Sequence, residues 1–186
     1  DLVSALYFSV MNIDPERPDW EERDRFILSK GHACPIVYAA LARRGYYPED
    51  ELWTLRQVGS RLQGHPDMRK TPGIDATTGS LGQGVSIAIG MALAARLAAQ
   101  SHRVYAMIGC GESQEGQIWE AAMSAAHYGL DTLTVVQDYN GFQIDGSNEE
   151  IMEVGPLSKK WDAFGWNVLE INGHDMAEVL EAFSEA

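Results

Sequence analysis

Two short stretches of this chain hold residue types that suit chemistry at the ends of strands. The first, Gly109-Cys110-Gly111-Glu112-Ser113, follows the apolar run Val104–Ile108. The second, Asp138-Tyr139-Asn140-Gly141, follows Leu133–Gln137 and places Asn140 thirty positions after Cys110. A glycine-bounded turn lets backbone N–H groups approach an anion, and a helix start just after it favours phosphate. An asparagine offers a neutral oxygen to a hard cation. On neighbouring strands, two such loops would clamp one diphosphate and its metal. His32, in Ser29-Lys30-Gly31-His32, and His65, in Gly64-His65-Pro66, add two imidazoles that could serve a reacting centre.

Other phosphate loops compete for the first stretch and fail on spacing. The dinucleotide fingerprint needs a glycine three positions after the second, where Gln114 stands and Gly116 comes late. A P-loop needs lysine and a hydroxyl after its last glycine, where Gln117 and Ile118 follow Gly116. Bland roles also exist. His32 is placed to cap the helix that follows, and His65 to sit in a surface loop. Asn140-Gly141 is a good turn pair, and Glu115 and Glu120 suit a helix start through the dipole. Trp119 and Trp161 read as core.

The elements that would position these loops follow from periodicity. Residues 1 to 12 read as a helix, with Leu2, Leu6 and Val10 at four-residue spacing. Residues 25 to 29 are a short strand. Residues 31 to 45 are a helix closed by Gly45, with Arg43 and Arg44 in its last turn. A short helix spans 49 to 56, and 57 to 79 are mostly loop. Ser80 and Gln83 have capping-box spacing, so a long helix should start there. It is apolar nearly all round, which predicts burial, and Ala88, Ala92, Ala95 and Ala99 make a small-residue stripe. Strands follow at 103 to 109, 133 to 139 and 167 to 171, with helices at 115 to 129 and around 156 to 164. Strand and helix alternation predicts an α/β fold, a parallel sheet with helices on both faces. Ligands of such sheets sit at the carboxyl ends of the strands, where both loops lie.

Composition narrows the partners. A formal charge of −13 repels nucleic acid and anionic membranes. The longest apolar run, Val85–Ala99, is broken by Arg96 and too short to span a bilayer. Two cysteines, Cys34 and Cys110, make neither a disulfide framework nor a zinc set and fit a reducing, cytoplasmic setting. The 186 residues suit a single domain, and both ends read as cut.

The text around these loops, "DRFILSKGHA", "GHPD", "TTGSLGQG" and "GCGESQEGQIWEAAMSAAHYGLDTLTVVQDYNGFQIDG", resembles the N-terminal, diphosphate-binding domain of the transketolase family. The resemblance covers essentially the whole chain. It implies the thiamine-diphosphate-binding fold, with thiamine diphosphate and Mg²⁺ as cofactors. It implies transfer of a two-carbon ketol unit between sugar phosphates. Asn140 and the carbonyl of Phe142 would face the metal. Gly109, Gly111 and Glu112 would lie at the diphosphate, with His32 near it and the reacting centre. His65 would face the sugar, and Gly79, Ser80 and Leu81 the aminopyrimidine. Glu115 and Glu120 match the family's acidic pair at a homodimer-type interface. The glutamate that drives deprotonation of the cofactor sits on a pyrimidine-binding domain, which these residues do not resemble. A partner subunit or domain is therefore implied, and turnover by this chain alone is not.

One position departs. The family's metal ligand between the two glycines is an aspartate, and here it is Cys110. Mg²⁺ takes oxygen, whereas thiolate suits softer ions. Weaker Mg²⁺ and cofactor binding is the expectation. A binding-impaired, non-catalytic module, a variant using another oxygen or metal, and an introduced residue all remain open.

Overall fold

In the computed structural model, which describes residues 1–186, alternation along three strands separates two core layers. The strands β1 (Arg25–Leu28), β2 (Val104–Gly109) and β3 (Leu133–Asp138) pair in parallel in the order β1-β2-β3. Arg25 lies opposite Val104, and Val104 opposite Leu133. Successive side chains of a strand point to opposite faces. Phe26, Leu28, Tyr105 and Met107 enter one core with Leu6, Val37, Tyr38 and Leu41. Leu6 comes from the wider turn over Leu6–Val10 that continues α1 (Leu2–Ala5), and the other three from α2 (Cys34–Arg44). Ile27, Val104, Ala106 and Ile108 enter the other core. There they meet Val85, Ala88, Ile89 and Ala92 of α3 (Gln83–Leu97) and Ile118, Ala121 and Ala122 of α4 (Gly116–Tyr128). Helices on both faces of a parallel sheet are thus what the pattern predicted.

The helix ends follow the residues that favour them. α2 carries proline in its first turn and arginines in its last, and it closes on Gly45 at φ 95°. α4 closes on Gly129 at φ 55°. Beyond β3 come a small hairpin, β4 (Phe142–Gln143) with β5 (Gly146–Ser147), and helices α5 (Asn148–Ile151), α6 (Leu157–Ala163) and α7 (Met176–Glu185). No helix is long and apolar enough to cross a membrane.

Three expectations are corrected. The Ser80–Gln83 capping box does not form. Gly82 at φ 83° is the N-cap of α3, with no side-chain cap, because the left-handed turn starts the helix at Gln83 and leaves Ser80 two residues before the capping position. The capping box of this chain joins Ser147 and Glu150 instead. Residues 167 to 171 make no ladder: the sheet ends at β3, while Trp166 and Val168 pack onto the second core. Nor is α3 buried all round. Its inner stripe is covered, but Gly90 and Ala94 are exposed and Leu97 is 91% exposed. One side of the helix packs on the sheet and α4, and the other is half-buried at Ile87 and Met91 and open at Gly90, Ala94 and Leu97.

The two edges of the sheet are pinned differently. At the amino ends, Asp24 accepts the N–H groups of Asn12 (2.7 Å) and Arg103 (2.8 Å). Asp75, from the long loop, accepts from the Arg23 guanidinium (2.5 Å) and from Phe26 N–H (2.8 Å). At the carboxyl ends, α3 starts so close to β1 that a Cβ on Gly84 would lie 2.5 Å from Ser29 Cβ and 2.7 Å from Ser29 Cα. Backbone cannot yield as a side chain does, so Gly84→Ala is expected to cost about 1–3 kcal/mol. A urea unfolding curve checks it, and an unchanged midpoint would contradict this packing.

Candidate cofactor site

Because the strands are parallel, every loop of interest leaves the sheet at one edge. Leu28 pairs with Met107 and Gly109 with Asp138. Ser29–His32, Cys110–Glu112 and Tyr139–Asn140 therefore emerge side by side. Cys110 is 2% exposed, and its thiol donates to the Asp138 carbonyl (3.3 Å) and to Asn140 Oδ1 (3.6 Å). Asn140 Oδ1 also accepts Phe142 N–H at 2.9 Å. Residues thirty apart in sequence are thus joined by their side chains. Phe142 opens a hairpin that folds back toward the glycine turn. A Cβ on Gly111 would lie 3.0 Å from Gln143 Cβ.

The second half of the edge gathers the histidine and glycine-serine segments. A Cβ on Gly31 would lie 2.9 Å from the Gly79 nitrogen, and one on Gly79 would lie 3.1 Å from the His65 ring. His32 and His65 are both exposed, His32 within a 3₁₀ turn before α2. Ser80 is exposed and Leu81 half-buried. Glu115 is the N-cap residue of α4 without a side-chain cap bond, and its Cβ lies 2.8 Å from where a Gly82 Cβ would sit. Glu120 is exposed on α4. Glu112, by contrast, is 2% exposed, with its carboxylate turned inward onto three donors.

Several residues of this edge escaped sequence reasoning. Lys30 forms an ion pair with Asp138 across the ends of β1 and β3. Gln137 donates to the Gly109 carbonyl (3.2 Å) and to Ser113 Oγ (2.5 Å), and accepts from Trp161 Nε1 at 2.8 Å. Trp119 Nε1 donates to the Ser113 carbonyl at 2.9 Å. Trp119 and Trp161 are core residues as expected, but they also hold the glycine turn. A glutamine directly after the apolar run Leu133–Val136 was the one available signal. Asn148 is 2% exposed with both side-chain amide atoms unpartnered, and its N–H donates to the Gly141 carbonyl at 2.9 Å. The other cysteine is remote in character. Burial pushes the Cys34 thiol up, and it donates to the Gly64 carbonyl at 3.3 Å. Both cysteines are free.

The donor set separates the two groups the family would bind here. Glycine-bounded turns and the neighbouring Lys30 suit a diphosphate. Mg²⁺ is served less well. Asn140 Oδ1 and the Phe142 carbonyl are hard oxygens, but the third group of the cluster is a buried neutral thiol that already donates to one of them. The residues fit the organic cofactor and fall one oxygen short for the metal.

Comparison with known proteins agrees with this geometry. The model of the family described as "Transketolase, thiamine diphosphate binding domain" matches residues 1–186. The 6-deoxy-6-sulfo-D-fructose transketolase subunit SqwG of Clostridium sp. (strain MSTE9) is 53% identical over the whole chain, which covers 68% of that protein. An apulose-4-phosphate transketolase subunit of Phocaeicola vulgatus is 41% identical over 98% of the chain and 65% of its own length. The structure of transketolase from Leishmania mexicana superposes with a TM-score of 0.94 at 38% identity, over 99% of this chain and 29% of that one. The chain thus spans about two thirds of the curated subunits it matches. In fold, in the order of its motifs and in sequence, the chain belongs to the transketolase family, as an N-terminal thiamine diphosphate binding domain.

Proposed function

We propose that this domain binds thiamine diphosphate as one half of a divided transketolase active site. A partner subunit or domain that binds the pyrimidine completes the site. The assembled enzyme moves a two-carbon ketol unit from a ketose to an aldose. The observation that carries this reading is the convergence of Ser29–His32, His65, Gly79–Leu81, Gly109–Gly111 and Asp138–Phe142 at one sheet edge. When bound, the cofactor supplies the nucleophilic carbon and the electron sink of the reaction. The chain supplies the rest. The backbone at Gly109 and Gly111 holds the diphosphate, and Gly79, Ser80 and Leu81 line the aminopyrimidine. The exposed imidazoles of His32 and His65 orient sugar hydroxyls and exchange protons with them. Asn140 and Phe142 would offer two oxygens to a cation, and Cys110 has no third to add. Glu115 and Glu120 lie at a homodimer-type contact. The substrate class is a ketose with a distal anion, since relatives are named for a sulfonated and a phosphorylated sugar. A cytoplasmic setting fits such substrates.

Cys110 favours a second reading, a non-catalytic module that keeps the cofactor fold. One experiment separates them. The protein is mixed with the pyrimidine-binding subunit of a related split transketolase, thiamine diphosphate and Mg²⁺. Ketol transfer from fructose 6-phosphate or its 6-sulfo analogue to an aldose phosphate is then measured. Transfer that requires both chains supports the enzyme. No transfer and no cofactor uptake by this chain, with uptake regained in Cys110→Asp, supports the module.

A further inference from the structure

We infer that Glu112 is a positioning residue, a buried carboxylate that locks the separate cofactor loops into one rigid cradle. The inference rests on the proposed cofactor site for its purpose, but not for its geometry. Glu112 Oε1 accepts the Ser29 hydroxyl at 2.5 Å and Gly82 N–H at 2.9 Å, and Oε2 accepts Gly109 N–H at 3.3 Å. Ser29 Oγ in turn accepts Gly84 N–H at 3.1 Å. Ser29 is fully buried and Glu112 nearly so. A carboxylate taken out of water is costly unless donors replace the lost hydration. Here the donors come from three places, the end of β1, the Gly79–Gly82 turn and the end of β2, and Ser29 carries the connection on to the first turn of α3.

The segments so joined are those that lead into His32, Gly79–Leu81 and Cys110. Hydrogen bonds to an ionised group are roughly twice as strong as neutral ones. Their shared acceptor also makes them interdependent: a loop that swings away leaves the charge under-solvated for the others. The loops therefore open together or not at all. A cradle that is already ordered spares the ligand the entropy of ordering it.

Glu112→Ala removes the shared acceptor. Glu112→Gln keeps one oxygen for Ser29 and Gly82 but turns an amide donor toward Gly109 N–H. Amide hydrogen exchange without cofactor is the first readout. In Glu112→Ala the amides of Gly82, Gly84 and Gly109 should exchange faster together, by roughly tenfold or more. Those of Ile27 and Ala106 should stay protected. In Glu112→Gln the increase should be largest at Gly109. The inference is overturned if Gly109 alone responds in Glu112→Ala, or if Glu112→Gln leaves all three glycines unchanged. If Glu112→Ala loosens the whole sheet, the Glu112→Gln pattern decides. The second readout is thiamine diphosphate affinity in the Cys110→Asp background. It should fall roughly tenfold in Glu112→Ala and less in Glu112→Gln. Should the background itself bind no thiamine diphosphate, the proposed function fails, while the exchange pattern still tests the cradle.

Discussion

Cys110→Asp is expected to tighten binding of thiamine diphosphate with Mg²⁺ by roughly ten- to a hundredfold, and to make stability depend on the metal. The geometry gives both effects. The Cys110 thiol is a neutral donor facing two acceptors, the Asp138 carbonyl and Asn140 Oδ1. An aspartate there has only acceptors to offer. Without a cation, buried oxygens would face oxygens, which should cost about 1–3 kcal/mol. With Mg²⁺ the aspartate oxygens would join Asn140 Oδ1 in facing the cation, and Asn140 Oδ1 would no longer have a thiol to hold it inward. Calorimetric titration checks the affinity, and thermal unfolding with and without Mg²⁺ checks the stability. Equal affinities for the two proteins would sink the claim that Cys110 weakens the site.

The largest loss of stability should come from the opposite edge of the sheet. Asp75→Ala is expected to cost about 3–5 kcal/mol. The Asp75 and Arg23 side chains are 4% and 10% exposed, with Arg25 a further 3.9 Å neighbour of the carboxylate. Removing the acid strands the Arg23 guanidinium in a dry setting and leaves Phe26 N–H without its acceptor. Removing both charges, in Arg23→Met with Asp75→Leu, should cost less than Asp75→Ala alone, because the Arg23 charge, more deeply buried than that of Arg25, is then not left without its partner. Guanidinium unfolding of the three proteins makes the comparison. A loss below about 1 kcal/mol in Asp75→Ala would contradict a buried, obligatory pair.

These two sites show what the sequence made readable and what it did not. Strands at 25 to 29, 103 to 109 and 133 to 139 could be read to within a residue because a short, largely apolar run bounded by polar residues and glycine is a local signal. The ends of α2 and α4 were legible because glycine marks a left-handed turn. Residues 167 to 171 are also a short, largely apolar stretch, yet pairing depends on which strand edge is within reach, and local sequence does not record that. Ser80 had the right spacing for a cap, but the left-handed turn at Gly82 overrode it. Asn140 and Cys110 were found through their motif. Asp75, Glu112 and Gln137 were not read as structural, because their partners lie far off in sequence and each role is a hydrogen bond set by tertiary packing.

The order of the strands carries a kinetic consequence. β2 meets β3 by closing the chain from Val104 to Leu133, but meets β1 only by closing it from Arg25 to Val104. The second closure is roughly 2.7 times longer and costs about 0.9 kcal/mol more in chain entropy. Local pairings precede distant ones when the chain searches for its fold. The β2–α4–β3 unit is therefore expected to nucleate first, bringing Cys110 and Asn140 together while the histidine loops are still free. On that order the site would be built from the Cys110–Asn140 corner outward, with the Glu112 carboxylate in place before Ser29 and Gly82 arrive.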